Sequence, residues 1–171
     1  MSKRLRIAIL GPFNSGKTTF VRNLSDVKPI ITDQPLSMPA KGKKTTTVAL
    51  DYGRKKIGGI IVHLYGTPGK ERFNFIREYF AKNSDALIFI VRDDDVQELE
   101  NTIKIYKEAL KYKKPHVILV NRTERGQITP EQLKLKLNLK DVPIYLTSIV
   151  NKEELEATFN KIVYTLSSQF Y

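Results

Sequence analysis

The stretch GPFNSGKTT, residues 11–19, follows an apolar run, Leu5 to Leu10, and leads into a helical pattern, Lys17 to Leu24. It satisfies G-x-x-x-x-G-K-[ST], and a strand before with a helix after is the setting in which that motif carries meaning. Gly11 and Gly16 let the backbone turn tightly, so that successive N–H groups, from Asn14 and Ser15 through Gly16 to Thr19, point inward at phosphate oxygens. The helix N-terminus adds its dipole to this cradle. Lys17 is expected to reach the β and γ phosphates, and Thr18 to place its hydroxyl on Mg²⁺.

Outward from this loop, β-type runs and helical patterns alternate to the end of the chain, which predicts an α/β layer fold on a mostly parallel sheet. Six strands are expected, at Leu5–Leu10, Thr47–Tyr52, Ile57–Tyr65, Ala86–Arg92, His116–Asn121 and Pro143–Thr147. Gly53, Arg54 and Lys55 read as a hairpin connection between the second and third, which makes one strand an antiparallel edge. About five helices are expected, at Lys17–Leu24, Glu71–Lys82, Asp94–Lys111, Pro130–Leu137 and Lys152–Phe170. Val96, Leu99, Ile103, Tyr106 and Leu110 repeat at helical spacing as a core stripe, and Thr129 before Pro130 reads as an N-cap. Asp26–Lys44, with Pro29, Pro35, Pro39 and Gly42, reads as a long functional loop. The 171 residues fit one domain, 1–171.

Apolar and charged contents of 41% and 27% are those of a globular protein. No apolar run approaches the ~18 residues of a membrane span. The apolar part of MSKRLRIAIL is too short for a secretory signal, so a soluble, cytoplasmic protein is expected. The chain has no cysteine, which excludes disulfides, prenylation and palmitoylation, and Ser2 excludes myristoylation, so no covalent lipid anchor is expected. Lys and Arg number 29 against 18 Asp and Glu, a formal charge of +11, which favours nucleotides and acidic surfaces as partners. No RNA-recognition or zinc-finger signature points to specific nucleic-acid binding.

Further segments extend the site. In KKTTTVALDYG, Thr47 directly precedes a strand and is the chosen Mg²⁺ ligand, with Thr46 as the alternative; drawn in by a γ phosphate, it would make the long loop a switch. In LYGTPGKERF, residues 64–73, Thr67 and Pro68 set a turn that presents the N–H of Gly69 to the γ phosphate. In LVNRTE, Asn121 and Glu124 can bracket a guanine, the carboxylate accepting from its N1–H and N2–H, while Arg122 lies along the base. In LTSIV, Ser148 and the backbone of Ile149 close the base pocket. Phe73, Ile76 and Phe80 share a core stripe and Phe75 with Tyr79 a stripe that can face a partner. His63 and His116 read as structural.

In this order, GPFNSGKTT, TTTVALDYG, GTPGKERF and NRTE resemble the Ras-like small GTPase superfamily, closest in motifs to the bacterial and archaeal MglA-like and conservon-type GTP-binding proteins. The resemblance implies a three-layer P-loop G domain that binds GTP or GDP with Mg²⁺, cycles between two states and answers to a regulatory protein, roadblock-type in many relatives. The chain departs from that pattern at several positions. Gly66 stands where the family holds Mg²⁺ through a water with an aspartate; Asp33 and Asp51 are the carboxylates to consider instead. Lys70 replaces the glutamine that orients the attacking water, and a lysine ammonium donates hydrogen bonds but accepts none. Hydrolysis is therefore expected on the order of 10⁻⁴ per second or below, with adjacent Glu71 as the alternative water-positioning group. Phe13 occupies a position that Ras keeps as glycine, where a ring can obstruct an arginine finger. Glu124 and Arg122 replace the usual aspartate and lysine of base recognition. The expectation is a slow, partner-regulated GTPase with Lys17, Thr47, Gly69, Lys70 and Glu71 at its catalytic end; the alternative is a catalytically silent nucleotide-binding scaffold.

Overall fold

The strand leading to the glycine-rich loop, β1 (Lys3–Leu10), is apolar on both faces. Leu5, Ile7 and Ile9 point one way, Ala8 and Leu10 the other, and all are buried. Such a strand needs cover on both sides, and the chain supplies it. In a computed structural model, residues 3–30, 36–40, 43–48, 50–70 and 73–170 are described, 36–40 and 43–48 by their backbone. The main sheet adds β4 (Asp51–Ile57), β5 (Ile60–Gly66), β6 (Ala86–Arg92), β7 (His116–Asn121) and β8 (Ile144–Thr147) in the order β4-β5-β1-β6-β7-β8. Every pairing is parallel except that of edge strand β4 with β5. This is the expected six-stranded sheet with one antiparallel edge.

Among the described residues the five α-helices are α1 (Lys17–Leu24), α2 (Asn74–Asn83), α3 (Leu99–Leu110, after a 3-10 turn at Val96–Glu98), α4 (Pro130–Lys136) and α5 (Lys152–Ser167). Phe20, Val21 and Leu24 of α1 and Leu155, Phe159, Ile162, Val163 and Leu166 of α5 cover the face carrying Ile7, Ile9, Ile88 and Leu119. Ala81 of α2, Ile105 and Tyr106 of α3 and Leu133 of α4 cover the face carrying Leu10, Phe89 and Val120. Odd and even strand positions thus serve different helices, the doubly covered arrangement of three layers. Thr129 caps α4 through a capping box with Gln132. His63 meets the Tyr52 hydroxyl at 2.7 Å, and His116 meets that of Tyr106 at 2.8 Å, so both histidines are satisfied structurally.

Two expectations along residues 26–59 are corrected. The strand read at Thr47–Tyr52 is divided: Thr47 lies in β3 (Lys43–Val48), which pairs with β2 (Leu36–Ala40) in a separate two-stranded antiparallel ribbon, whereas β4 begins at Asp51. The long loop therefore contains regular structure. The hairpin turn is also displaced. Gly53 pairs with Leu64 inside β4–β5, and the connection is Gly58–Gly59 between the paired Ile57 and Ile60, with Gly58 at φ 56°. A two-residue turn requires such left-handed backbone, which glycine adopts without strain.

Candidate functional site

The loop at the C-terminal end of β1 sits mid-sheet, and the loops after β5, β6, β7 and β8 leave from the same edge. That edge is where open α/β sheets hold their ligands. A cleft of about 980 Å³ runs along it, lined from Asp51, Gly66–Lys70 and Phe13 past Lys17, Thr18 and Thr19 to Asn121–Glu124 and Ser148–Val150. It is large enough for a nucleotide-sized molecule.

Gly11 at φ 148°, Asn14 at φ 69° and Gly16 at φ 111° give the loop its tight path. Asparagine tolerates the left-handed region better than most side-chain-bearing residues. Gly16 caps α1 without any side-chain hydrogen bond, so the first-turn N–H groups remain directed to the cleft end. Lys17 folds back into the loop, its Nζ donating to the carbonyls of Gly11 at 2.7 Å and Pro12 at 2.6 Å and to Ser15 Oγ at 3.3 Å. Three oxygens suit an ammonium, but burial, reinforced by the charge of Arg77 and opposed by Asp51, pushes its pKa down to about 7.

The turn after β5 lies directly on this loop. A Cβ at Gly69 would come within 2.3 Å of the Phe13 nitrogen and 2.6 Å of the Pro12 carbonyl carbon, so only glycine fits the approach. Thr67 anchors the turn by donating its hydroxyl to the Ile9 carbonyl at 2.7 Å. Buried Arg77 of α2 donates to the carbonyls of Pro68 and Lys70 at 3.0 Å each and also bonds Asn74. The Lys70 ammonium stands 4.9 Å from the centre of the Phe13 ring, a cation–π distance. The structure thus brings together Gly69, Lys70 and Lys17 as the sequence suggested. Glu71 lies outside the described residues, as does the side chain of Thr47.

At the far end, Asn121 is a staple. Its Nδ2 donates to the Ser15 carbonyl and its Oδ1 accepts from the Ile149 N–H, both at 3.2 Å. It joins the phosphate loop to the loop after β8. Arg122 donates to Glu154 Oε2 at 2.8 Å, and Glu154 Oε1 accepts from the Ser148 N–H at 3.2 Å. The Arg122 hydrogen bond holds the Glu154 carboxyl below the usual carboxylate range. Glu124 is exposed at the cleft rim and makes no hydrogen bond to a described residue.

The sequence reading missed several residues that build this end. Buried Asp93 accepts from the N–H and hydroxyl of Thr123 at 2.9 and 2.7 Å, fixing the NRTE loop, and a Cβ at Gly126 would fall 2.3 Å from its Oδ2. Asp93 follows β6 in a run of three aspartates with no motif spacing, and Glu154 and Arg77 sit on helices whose apolar stripes dominate the pattern. Only their contacts reveal their roles.

Among the described residues no helix is long and apolar enough to cross a membrane. Thr18, exposed on α1, donates its hydroxyl to Asp51 Oδ2 at 2.5 Å. A hydroxyl and a carboxylate are hard oxygen donors of the kind Mg²⁺ takes, so these residues fit that ion. The sequence and the fold have counterparts in known proteins. The model of the 50S ribosome-binding GTPase family matches residues 6–122. An uncharacterized protein of Methanocaldococcus jannaschii is 30% identical over 93% of this chain and 95% of its own length. GTPase Obg of Persephonella marina is also 30% identical, over 88% of this chain, which spans 47% of Obg. In structure, the Arl6 small GTPase of Trypanosoma brucei with bound GppNp superposes with a TM-score of 0.73 at 20% identity, covering 98% of this chain and 99% of its own.

Proposed function

Because this chain belongs to the 50S ribosome-binding GTPase family, we propose that residues 1–171 form a single guanine-nucleotide switch domain that binds GTP or GDP with Mg²⁺ and hydrolyses GTP slowly. The observation that carries the reading is the continuous cleft, with Lys17, Thr18 and the glycine-rich loop at one end and Asn121, Arg122, Glu124, Ser148 and Ile149 at the other. The N–H groups from Asn14 to Thr19 hold the phosphates, and Lys17 leaves its carbonyl partners to reach them. Thr18, with Thr47 brought in by the γ phosphate, holds Mg²⁺, which when bound neutralises charge on the phosphates. Gly69 offers its N–H to the γ phosphate from a turn already lying against the loop. Asn121 and Glu124 receive the base, and Arg122, steadied by Glu154, flanks it.

Slow hydrolysis follows from Lys70. Its ammonium has no acceptor for the attacking water and rests over Phe13, so chemistry is left to positioning and charge stabilisation. Acceleration is then the work of a regulatory protein. The same contact favours a second reading, a nucleotide-holding scaffold without turnover. The family description names the 50S ribosome; the charge of +11 suits an anionic partner, but the nucleotide reading does not depend on it.

The test is to load purified protein with GTP and Mg²⁺ and follow the bound nucleotide by denaturation and chromatography over several hours, beside Lys17→Ala. GDP appearing slowly and only with Lys17 is the expected result. Bound GTP that stays intact favours the scaffold, and no bound guanine nucleotide rules out both.

A further inference from the structure

Gly66 leaves the end of β5 without the carboxylate that a metal-dependent phosphate site calls for, yet a carboxylate is there. Asp51 begins β4 directly opposite Gly66 in the antiparallel β4–β5 register. Directly opposed residues of an antiparallel pair project to the same face with neighbouring Cβ atoms. A Cβ built on Gly66 would stand 3.2 Å from Asp51 Cβ and 3.6 Å from Asp51 Oδ2. The carboxylate of Asp51 thus fills the space that a side chain at 66 would enter. A Cβ at 66 would also stand 3.3 Å from Val21 Cγ2, a tight contact that a shift of a few tenths of an ångström relieves.

The Asp51 carboxylate is also aimed at the right neighbour. Thr18 gives its hydroxyl proton to Asp51 Oδ2 at 2.5 Å, so the lone pairs of that hydroxyl oxygen face away from the carboxylate. An outer carboxylate that takes a ligand's proton fixes that ligand's orientation toward the metal. Of the two described carboxylates lining the cleft, Asp51 on β4 and Glu124 after β7, only Asp51 lies at the Thr18 end. Four strand steps of ~4.8 Å separate their strands, so Glu124 cannot share the task.

We infer that Asp51 is the metal-positioning residue of this site, an aspartate moved across the hairpin from β5 to β4, which orients the Thr18 hydroxyl and offers its carboxylate to the hydration shell of Mg²⁺. The inference rests on the nucleotide reading above and concerns Mg²⁺ retention; turnover does not enter it.

The experiment uses the full chain and a fluorescent GDP, whose release rate is measured across a Mg²⁺ titration and in excess chelator. For Asp51→Asn, which keeps size and shape, the Mg²⁺ concentration giving half-maximal slowing is expected to rise ~10 to 100-fold, with release in chelator unchanged. The paired variant Asp51→Gly with Gly66→Asp returns the carboxylate to β5 and is expected to bring the midpoint back toward wild type. Circular dichroism melting checks that each variant is folded. An unshifted midpoint in folded Asp51→Asn overturns the inference. A shift that the folded paired variant does not reverse also overturns it, because Asp51 would then be a structural anchor for Thr18. Wild-type protein that retains no labelled GDP at any Mg²⁺ concentration overturns the guanine reading itself, and is seen before any variant is compared.

Discussion

Lys17 is the residue on which the site's electrostatics turn. With its pKa pushed down to about 7 by burial, it is mostly neutral at pH ~8, and phosphate oxygens within reach would restore the ammonium, so nucleotide binding should take up about one proton there and little at pH ~6. Calorimetry in two buffers of different ionisation enthalpy reads this number; heats that do not depend on buffer at the higher pH would refute it. The linkage also acts on folding. Between about 7 and 10.5 the unfolded chain holds the lysine proton and the folded chain does not. Stability tied to Lys17 therefore rises with pH through that window and is flat below it. Lys17→Met should remove this slope from urea midpoints of the ligand-free protein. Gly126 acts by its lack of a side chain. Its Cβ would collide with Asp93 Oδ2 at 2.3 Å, so Gly126→Ala should cost ~1–3 kcal/mol and loosen the Thr123 contacts that shape the loop after β7. Urea unfolding and a GDP titration check the two effects; an unaltered protein would show that Asp93 has room to move.

Among elements, α2 reaches the cleft through the turn at Pro68–Lys70, to which Arg77 ties it. Hydrogen bonds from a charged donor contribute ~1.5–3 kcal/mol, so Arg77→Gln should speed hydrogen exchange at the Gly69 and Lys70 amides and lower the melting temperature. Unchanged exchange would mean that packing of Gly69 on Pro12 and Phe13 holds the turn alone. The elements also show what the chain reveals unaided. β1, α1, β6 and β7 were legible because each carries an unbroken apolar run or period that burial on two faces demands. The β2–β3 ribbon was not, since the short alternation of Leu36, Met38 and Ala40 is interrupted by Pro39 and its partner strand is a lysine–threonine run with one apolar residue, Val48. Gly53 misled for a different reason. Its missing side chain admits Val21 and Ser25 of the α1 end, where a Cβ would meet both at 2.9 Å, so the glycine marks a close approach inside a strand. The glycine-rich loop and NRTE were legible as motifs, whereas Asp93, Arg77 and Glu154 act through partners 30, 9 and 32 residues away, a distance no local pattern records.

For the molecule as a whole, the cleft crosses the sheet from Thr18 and Asp51 beside β4 and β5 to Asn121 and Ser148 at β7 and β8, with Asn121 already stapling the glycine-rich loop to the loop after β8. A ligand that touches both ends is bound only by the folded chain, so it stabilises the entire domain. At 100 times its dissociation constant the gain is ~2.7 kcal/mol, which for a domain of this size corresponds to a rise in melting temperature of ~5–11 °C. GDP with Mg²⁺ is expected to give that rise, Lys17→Ala to lose it, and ATP to give little, because on the proposed reading Glu124 would accept from the donors of guanine and would meet none at the same place on adenine. Thermal melts with the two nucleotides at matched concentration decide the point. Equal shifts would mean that the cleft reads phosphates alone, leaving Glu124 without a role in base choice; a rise confined to GDP would place base discrimination in the loops after β7 and β8, on strands held rigid by both layers of helices.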